Sequence, residues 1–173
     1  MIKYTFGVTA LTAIGLFVLS ACTAPSPPDY AAQYRPIQDA FVAVWNDGNL
    51  DGLDAIAAPS YQRHGDLGTT AGNLAVLKKV IKGFRTAYPD MHVTIEEAHF
   101  TQDRGLSLWT FTGTNTGASN IPATGKSVKV SGMSLIRYAS GKIADETVYF
   151  DSLDMSQQLG YTVVPPAGAA KAH

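Results

Sequence analysis

"KSVKVSGMSLIRYASGKIADETVYFD", residues 126–151, decides the fold. It holds two runs rich in β-branched and aromatic residues, joined at Ala139-Ser140-Gly141. Small residues with a glycine between such runs mark a hairpin turn. "MHVTIEEAHF" (91–100) and "LSLWTFTGTNTG" (106–117) precede them and have the same character. The second half of the chain therefore reads as about four long antiparallel strands.

The first half has a different period. Tyr34, Ile37, Phe41, Val44 and Trp45 recur at helical spacing, so residues 30–46 read as a helix ended by Asn46-Asp47-Gly48. Leu50, Leu53 and Ile56 mark a short second helix stopped by Pro59. "SYQRHGDLGTT" reads as a polar loop. A third helix runs from about Ala71 to Tyr88, with Thr70 as cap and Leu74, Leu77, Ile81, Phe84 and Tyr88 as its buried stripe. Lys78, Lys79, Lys82 and Arg85 form its solvated face, and Pro89-Asp90 breaks it. Three helices followed by four strands make an α+β domain with helices on one sheet face. A curved sheet of that kind can enclose a cavity.

The ends carry a different message. "MIKYTFGVTALTAIGLFVLSAC" has one basic residue, Lys3, then an apolar run from Phe6 to Leu19, and no acid occurs before Asp29. That is the pattern of an export signal, and the run is short for a membrane span. Leu19-Ser20-Ala21-Cys22 resembles the lipobox of bacterial lipoproteins, in which the cysteine is acylated and becomes the first residue of the mature protein. Thr23 follows it, so by resemblance to the enterobacterial sorting rule the destination is the outer membrane, where the host has one. The expected organisation is a signal peptide at 1–21, a Pro-rich tether at 22–29, one domain at 30–160 and a loose tail at 161–173. Removing residues 1–21 takes Lys3 from 13 basic residues and none from 14 acidic ones, so the formal charge moves from -1 to -2. Nothing in that balance points to nucleic acid.

Taken in order, "WNDGNLDGLDAIAAPSYQRHG", "VIKGFRTAYPDMHVTIEE", "LWTFTGTNTG", "SVKVSGMSLIRYASGKI" and the closing Asp151…Gln158-Leu159-Gly160 resemble the SnoaL-like polyketide cyclases, also called ester cyclases, over residues 35–160. That family belongs to the nuclear-transport-factor-2-like superfamily. The resemblance implies a cone-shaped fold, an apolar pocket inside the cone and frequent dimers. It implies an intramolecular aldol closure of a polyketide ester without metal or other cofactor. An aspartate near the end of the last long strand serves there as acid/base, and the matching position is Asp151. The cyclases' catalytic histidine falls on the strand "SGMSLIRY", where this chain has Ser134.

Each candidate residue has a plainer reading beside the functional one. Asp151 either caps the segment starting near Ser152 or shuttles a proton in an apolar pocket that raises its pKa. His64 is either a second proton carrier, oriented by Asp66, or a loop histidine. Trp109 and Tyr149 are pocket wall or core, and Tyr149 shares strand parity with Asp151. Met133 is a further substrate-contact candidate. Arg137 is a ligand anchor or a solvated strand residue. Gly132 is a possible bulge. His92 and His99, seven apart on one strand, are expected on opposite faces, and no metal-ligand spacing or nucleophile motif occurs.

Leu106 and Leu108 alternate with Ser107, Trp109 and Phe111, so both faces of that strand are partly apolar. Either a second subunit covers the outer face, giving a homodimer, or the chain's own segments do. Two functions follow: acid/base chemistry on a small apolar carbonyl compound at the cell envelope, or a non-catalytic pocket or partner-binding module.

Overall fold

A computed structural model describes residues 26–65, 72–119 and 122–164. The expected signal peptide at 1–21, Cys22, Asp66, Thr70 and most of the expected tail lie outside the described residues. The element order is α1 (Tyr30–Asp47), α2 (Gly52–Ile56), β1 (Ala57–Gly65), β2 (Gly72–Asn73), α3 (Leu74–Ala87), β3 (His92–Phe100), β4 (Arg104–Thr114), β5 (Ser127–Ala139), β6 (Lys142–Phe150) and α4 (Ser152–Gln158). Six strands form one sheet in the order β2-β1-β6-β5-β4-β3.

The four long strands are the four read from sequence. The sheet is nonetheless mixed, not antiparallel, because β1 lies parallel to β6. The supposed loop "SYQRHG" is most of that strand. Its inward positions are Tyr61 and Arg63, and its outward ones Gln62 and His64. A polar residue at an inward position hides a strand's alternation, and Arg63 is tolerated there only because β6 places Glu146 against it. A fourth helix, α4, forms at the segment starting near Ser152, beyond the three helices of the expected layer.

Local chemistry explains the boundaries. Gly48 ends α1 at φ 76°, its N–H donating to the Val44 carbonyl at 2.9 Å. Helix α3 starts at Leu74, three residues later than read, because Asn73 caps it by accepting from the Val76 N–H at 3.2 Å. In the β5–β6 hairpin Ser140 and Gly141 both have positive φ, 50° and 72°. That is the two-residue turn whose twist matches the strands.

Strand β3 corrects two face assignments. Its register against β4 shifts between Ile95 and Glu97. His92 pairs with Thr112 and His99 with Leu106, so the bulge puts both histidines on the same side rather than opposite sides. Gly132 is no bulge: it pairs regularly with Trp109. A Cβ there would fall onto the Trp109 ring and lie 2.8 Å from the Tyr149 carbonyl oxygen. Glycine is needed so that the indole can lie flat across the neighbouring strand.

Helices α1, α2 and α3 cover one face of the sheet. Tyr34, Phe41, Leu53, Tyr61, Leu77 and Ile81 meet Ile136, Tyr138 and Ile143 in one buried cluster. A second cluster gathers Tyr88, Met91, Phe111, Val128, Val130 and Leu159. Trp45 packs on both. Leu108, Met133, Leu135 and Tyr149, on the other face, are 38%, 37%, 40% and 47% exposed. Described segments of the chain therefore leave that face open.

Candidate functional site

A cavity of about 120 Å³ lies between the helices and the inner sheet face. Its walls are mostly apolar. Phe41 and Trp45 come from α1, Phe84 from α3, Ile95 from β3, Trp109 and Phe111 from β4, and Val148 and Phe150 from β6. Phe84 sits edge-on to Trp45 at 6.0 Å and to Phe111 at 5.7 Å, distances typical of favourable aromatic packing.

Five polar residues share this lining: Gln38, Arg63, Ser107, Ser134 and Glu146. All five are buried. Glu146 is their centre. Its Oε2 accepts from Tyr61 Oη and from Arg63 Nη1, both at 2.9 Å. Its Oε1 accepts from Ser134 Oγ at 3.1 Å, and Ser134 Oγ accepts from Trp109 Nε1 at 3.1 Å. Burial, reinforced by the Glu146 carboxylate, pushes the Tyr61 phenol far above its ordinary value. Tyr61 therefore stays a neutral donor throughout the physiological range. The Arg63 guanidinium also lies 5.7 Å from the Trp45 ring centroid.

On the facing helix Gln38 Nε2 donates to Ser107 Oγ at 2.6 Å. Ser107 and Ser134 are cross-strand partners, so the two hydroxyls stand side by side. Among the described residues Gln38 Oε1 and Arg63 Nε are buried without a partner. Buried polar atoms left unpaired are uncommon and cost free energy, which marks this end of the cavity as incomplete by itself.

The residues singled out from sequence divide. Trp109 lines the cavity. Ser134 does too, and contacts Glu146. Asp151 does not. It is exposed and caps α4, accepting from the Asp154 N–H at 2.8 Å. Tyr149 faces outward and is no part of the cavity wall; Glu146, Val148 and Phe150 are the inward set. Met133 pairs with Tyr149 and Leu108 on the same outer face. His64 is exposed, 3.4 Å from Asp145 Oδ1, and Arg137 forms an ion pair with that same carboxylate. His64 and Arg137 thus gather on Asp145, outside the cavity. Among the described residues no three His, Cys, Asp or Glu side chains are grouped as a metal site would require, and no helix is long and apolar enough to cross a membrane.

Sequence reasoning missed Glu146, Arg63, Tyr61, Gln38 and Ser107. One signal was present: Glu146, Val148 and Phe150 form the more apolar alternate set of β6, so an acid among them implied a buried partner.

Helices packed on one face of a curved mixed sheet, around an apolar cavity with a polar end, define an α+β domain of the nuclear-transport-factor-2-like class. The model of the SnoaL-like polyketide cyclase family matches residues 35–159, and the chain belongs to that family. TsrD from Streptomyces laurentii is similar in structure, with TM-score 0.67 and 23% identity over 75% of this chain and 96% of that one. A candidate polyketide cyclase from Acidithiobacillus ferrooxidans has TM-score 0.65 and 27% identity over 73% and 94%. IdmH from Streptomyces antibioticus has TM-score 0.66 and 22% identity over 75% and 99%. No curated protein matches the sequence.

Proposed function

We propose that this domain takes up a small apolar carbonyl compound in the cavity under α1 and α3, and that it does so at the cell envelope, held by an acylated Cys22. The observation that carries the reading is the cavity itself: aromatic and aliphatic walls with one polar end, where Arg63 Nε and Gln38 Oε1 have no partner among the described residues. Ligand sites are characteristically apolar with a few placed polar groups. Fluorescence quenching or thermal shift with aromatic ketones and esters tests it, and Trp109→Ala should weaken the hits. Hits that survive that change intact place the site elsewhere. Anchoring is checked separately by fractionation: Cys22→Ser should leave the membrane fraction.

A second reading, acid/base catalysis on that compound, is favoured by one contact. Ser134 stands where the cyclases have their histidine, and it bonds to Glu146, the one carboxylate among the described residues that line the cavity. Glu146 with Ser134 would then move the proton in place of Asp151 and His64. Binding is the better-supported reading. Three donors already hold the Glu146 carboxylate, and a base so occupied is poorly placed to take a proton from a ligand. A turnover assay in which Glu146→Gln loses activity but keeps ligand affinity would reverse that order.

A further inference from the structure

We infer that the compound this cavity accepts is uncharged and about one ring in size. The inference rests on the proposed ligand-binding function and specifies its ligand class. Two features of the site carry it.

The first is charge. Arg63 and Glu146 are the charged side chains among the described residues that line the cavity. They face each other at 2.9 Å, and both are almost wholly buried. A pair so close is neutral as a unit. Tyr61 is held as a neutral phenol, and Ser134 gives its hydrogen to Glu146. No net charge is left to receive an ionic ligand, and moving an uncompensated ion into such a space is costly. What the polar end still offers are single hydrogen-bonding groups. Arg63 Nε has an unused N–H and Gln38 Oε1 an unused acceptor. Ser107 Oγ accepts from Gln38, and its own hydrogen is free to donate. Such groups can hydrogen-bond a carbonyl or hydroxyl, while the neutral pair leaves no counter-charge for a carboxylate or an ammonium.

The second is size. A dry apolar cavity of about 150 Å³ in another protein holds benzene. At about 120 Å³, this cavity is of the same order. Trp109 and Phe150, with ring centroids 6.5 Å apart, and Phe84 are among the aromatic side chains that line this space.

The test compares three probes by calorimetric titration at pH 7: acetophenone, benzoate and 2-acetylanthracene. The wild-type domain should bind acetophenone at least tenfold more tightly than benzoate, and 2-acetylanthracene not measurably. Glu146→Gln keeps the shape but leaves Arg63 uncompensated, so benzoate should tighten at least tenfold in that variant. Circular dichroism establishes that the variant is folded, and the wild-type comparison stands without it. Benzoate binding the wild type as well as acetophenone overturns the neutrality claim while leaving the ligand-binding function intact. Tight binding of the three-ring ketone overturns the size claim in the same way. If none of the three binds, the ligand-binding function itself falls and takes this inference with it.

Discussion

Glu146 lies within β6 and Asp151 directly after its end, yet they sit in opposite surroundings. Glu146 is buried, with an arginine, a tyrosine and a serine on its two oxygens. Asp151 is in water, and its hydrogen-bond partner is the first turn of a seven-residue helix. One carboxylate is fixed by tertiary partners from β1 and β5. The other is fixed by its own sequence neighbours. A strand-end acid is held well enough by local capping alone, while an acid buried in mid-strand needs partners from other strands.

Removing one partner on the buried side should have the largest effect. Arg63→Met leaves the Glu146 charge in an apolar space and should cost about 3–5 kcal/mol in denaturant unfolding. Arg63→Met with Glu146→Leu removes both charges and should recover most of that loss. A single change costing under about 1 kcal/mol would mean the pair is solvated and the contrast with Asp151 false.

Next in size is Gly132→Ala. The added methyl meets the Trp109 ring and the Tyr149 carbonyl. Overpacking of this kind costs about 1–3 kcal/mol. The displaced indole should also abolish ketone binding, which unfolding curves and titrations read independently.

On the exposed side, Asp151→Ala should lose about 0.5–2 kcal/mol, the range for a lost helix cap, and Asp151→Asn much less. Neither should alter ligand affinity. Ligand affinity that drops in Asp151→Asn would bring Asp151 back to the site.

The smallest effect on stability belongs to the outer face. Leu108→Glu should change monomer stability by no more than about 0.5 kcal/mol, as surface substitutions do. We propose that this face pairs with a second copy, since Leu108, Met133 and Tyr149 are contiguous across three strands and uncovered by the described chain. Sedimentation velocity should then show a dimer for the wild type and a monomer for Leu108→Glu. A wild-type monomer at high micromolar concentration removes the proposal.

How much of this was legible in the residues follows the same division between local and tertiary causes. The Ala139-Ser140-Gly141 turn, the Gly48 stop and the α3 stripe through Leu77 and Ile81 are local signals, and each gave its element nearly in place. Trp109 in the cavity wall was legible because an aromatic among inward positions has few other places to go. Strand β1 was not, since Arg63 at an inward position makes sense only once Glu146 is beside it. The two faces of β6 were not either. Asp145, Thr147 and Tyr149 alternate with Glu146, Val148 and Phe150, and each set holds one acid, so only the greater apolarity of the second set hinted at which faces in. The bulge in β3 likewise inverted the faces of His92 and His99, because an extra residue changes parity without any change in composition.

In this structure the proposed ligand site is the inner cavity at Glu146 and Trp109, not the strand end at Asp151 and His64. A crystal of the domain soaked with 4-bromoacetophenone tests it most directly. An anomalous bromine peak is expected inside the cavity among Phe84, Trp109 and Phe111, with the ketone oxygen toward Arg63. A bromine peak on the outer surface beside Asp151, Tyr149 or His64, with the cavity empty, would contradict it.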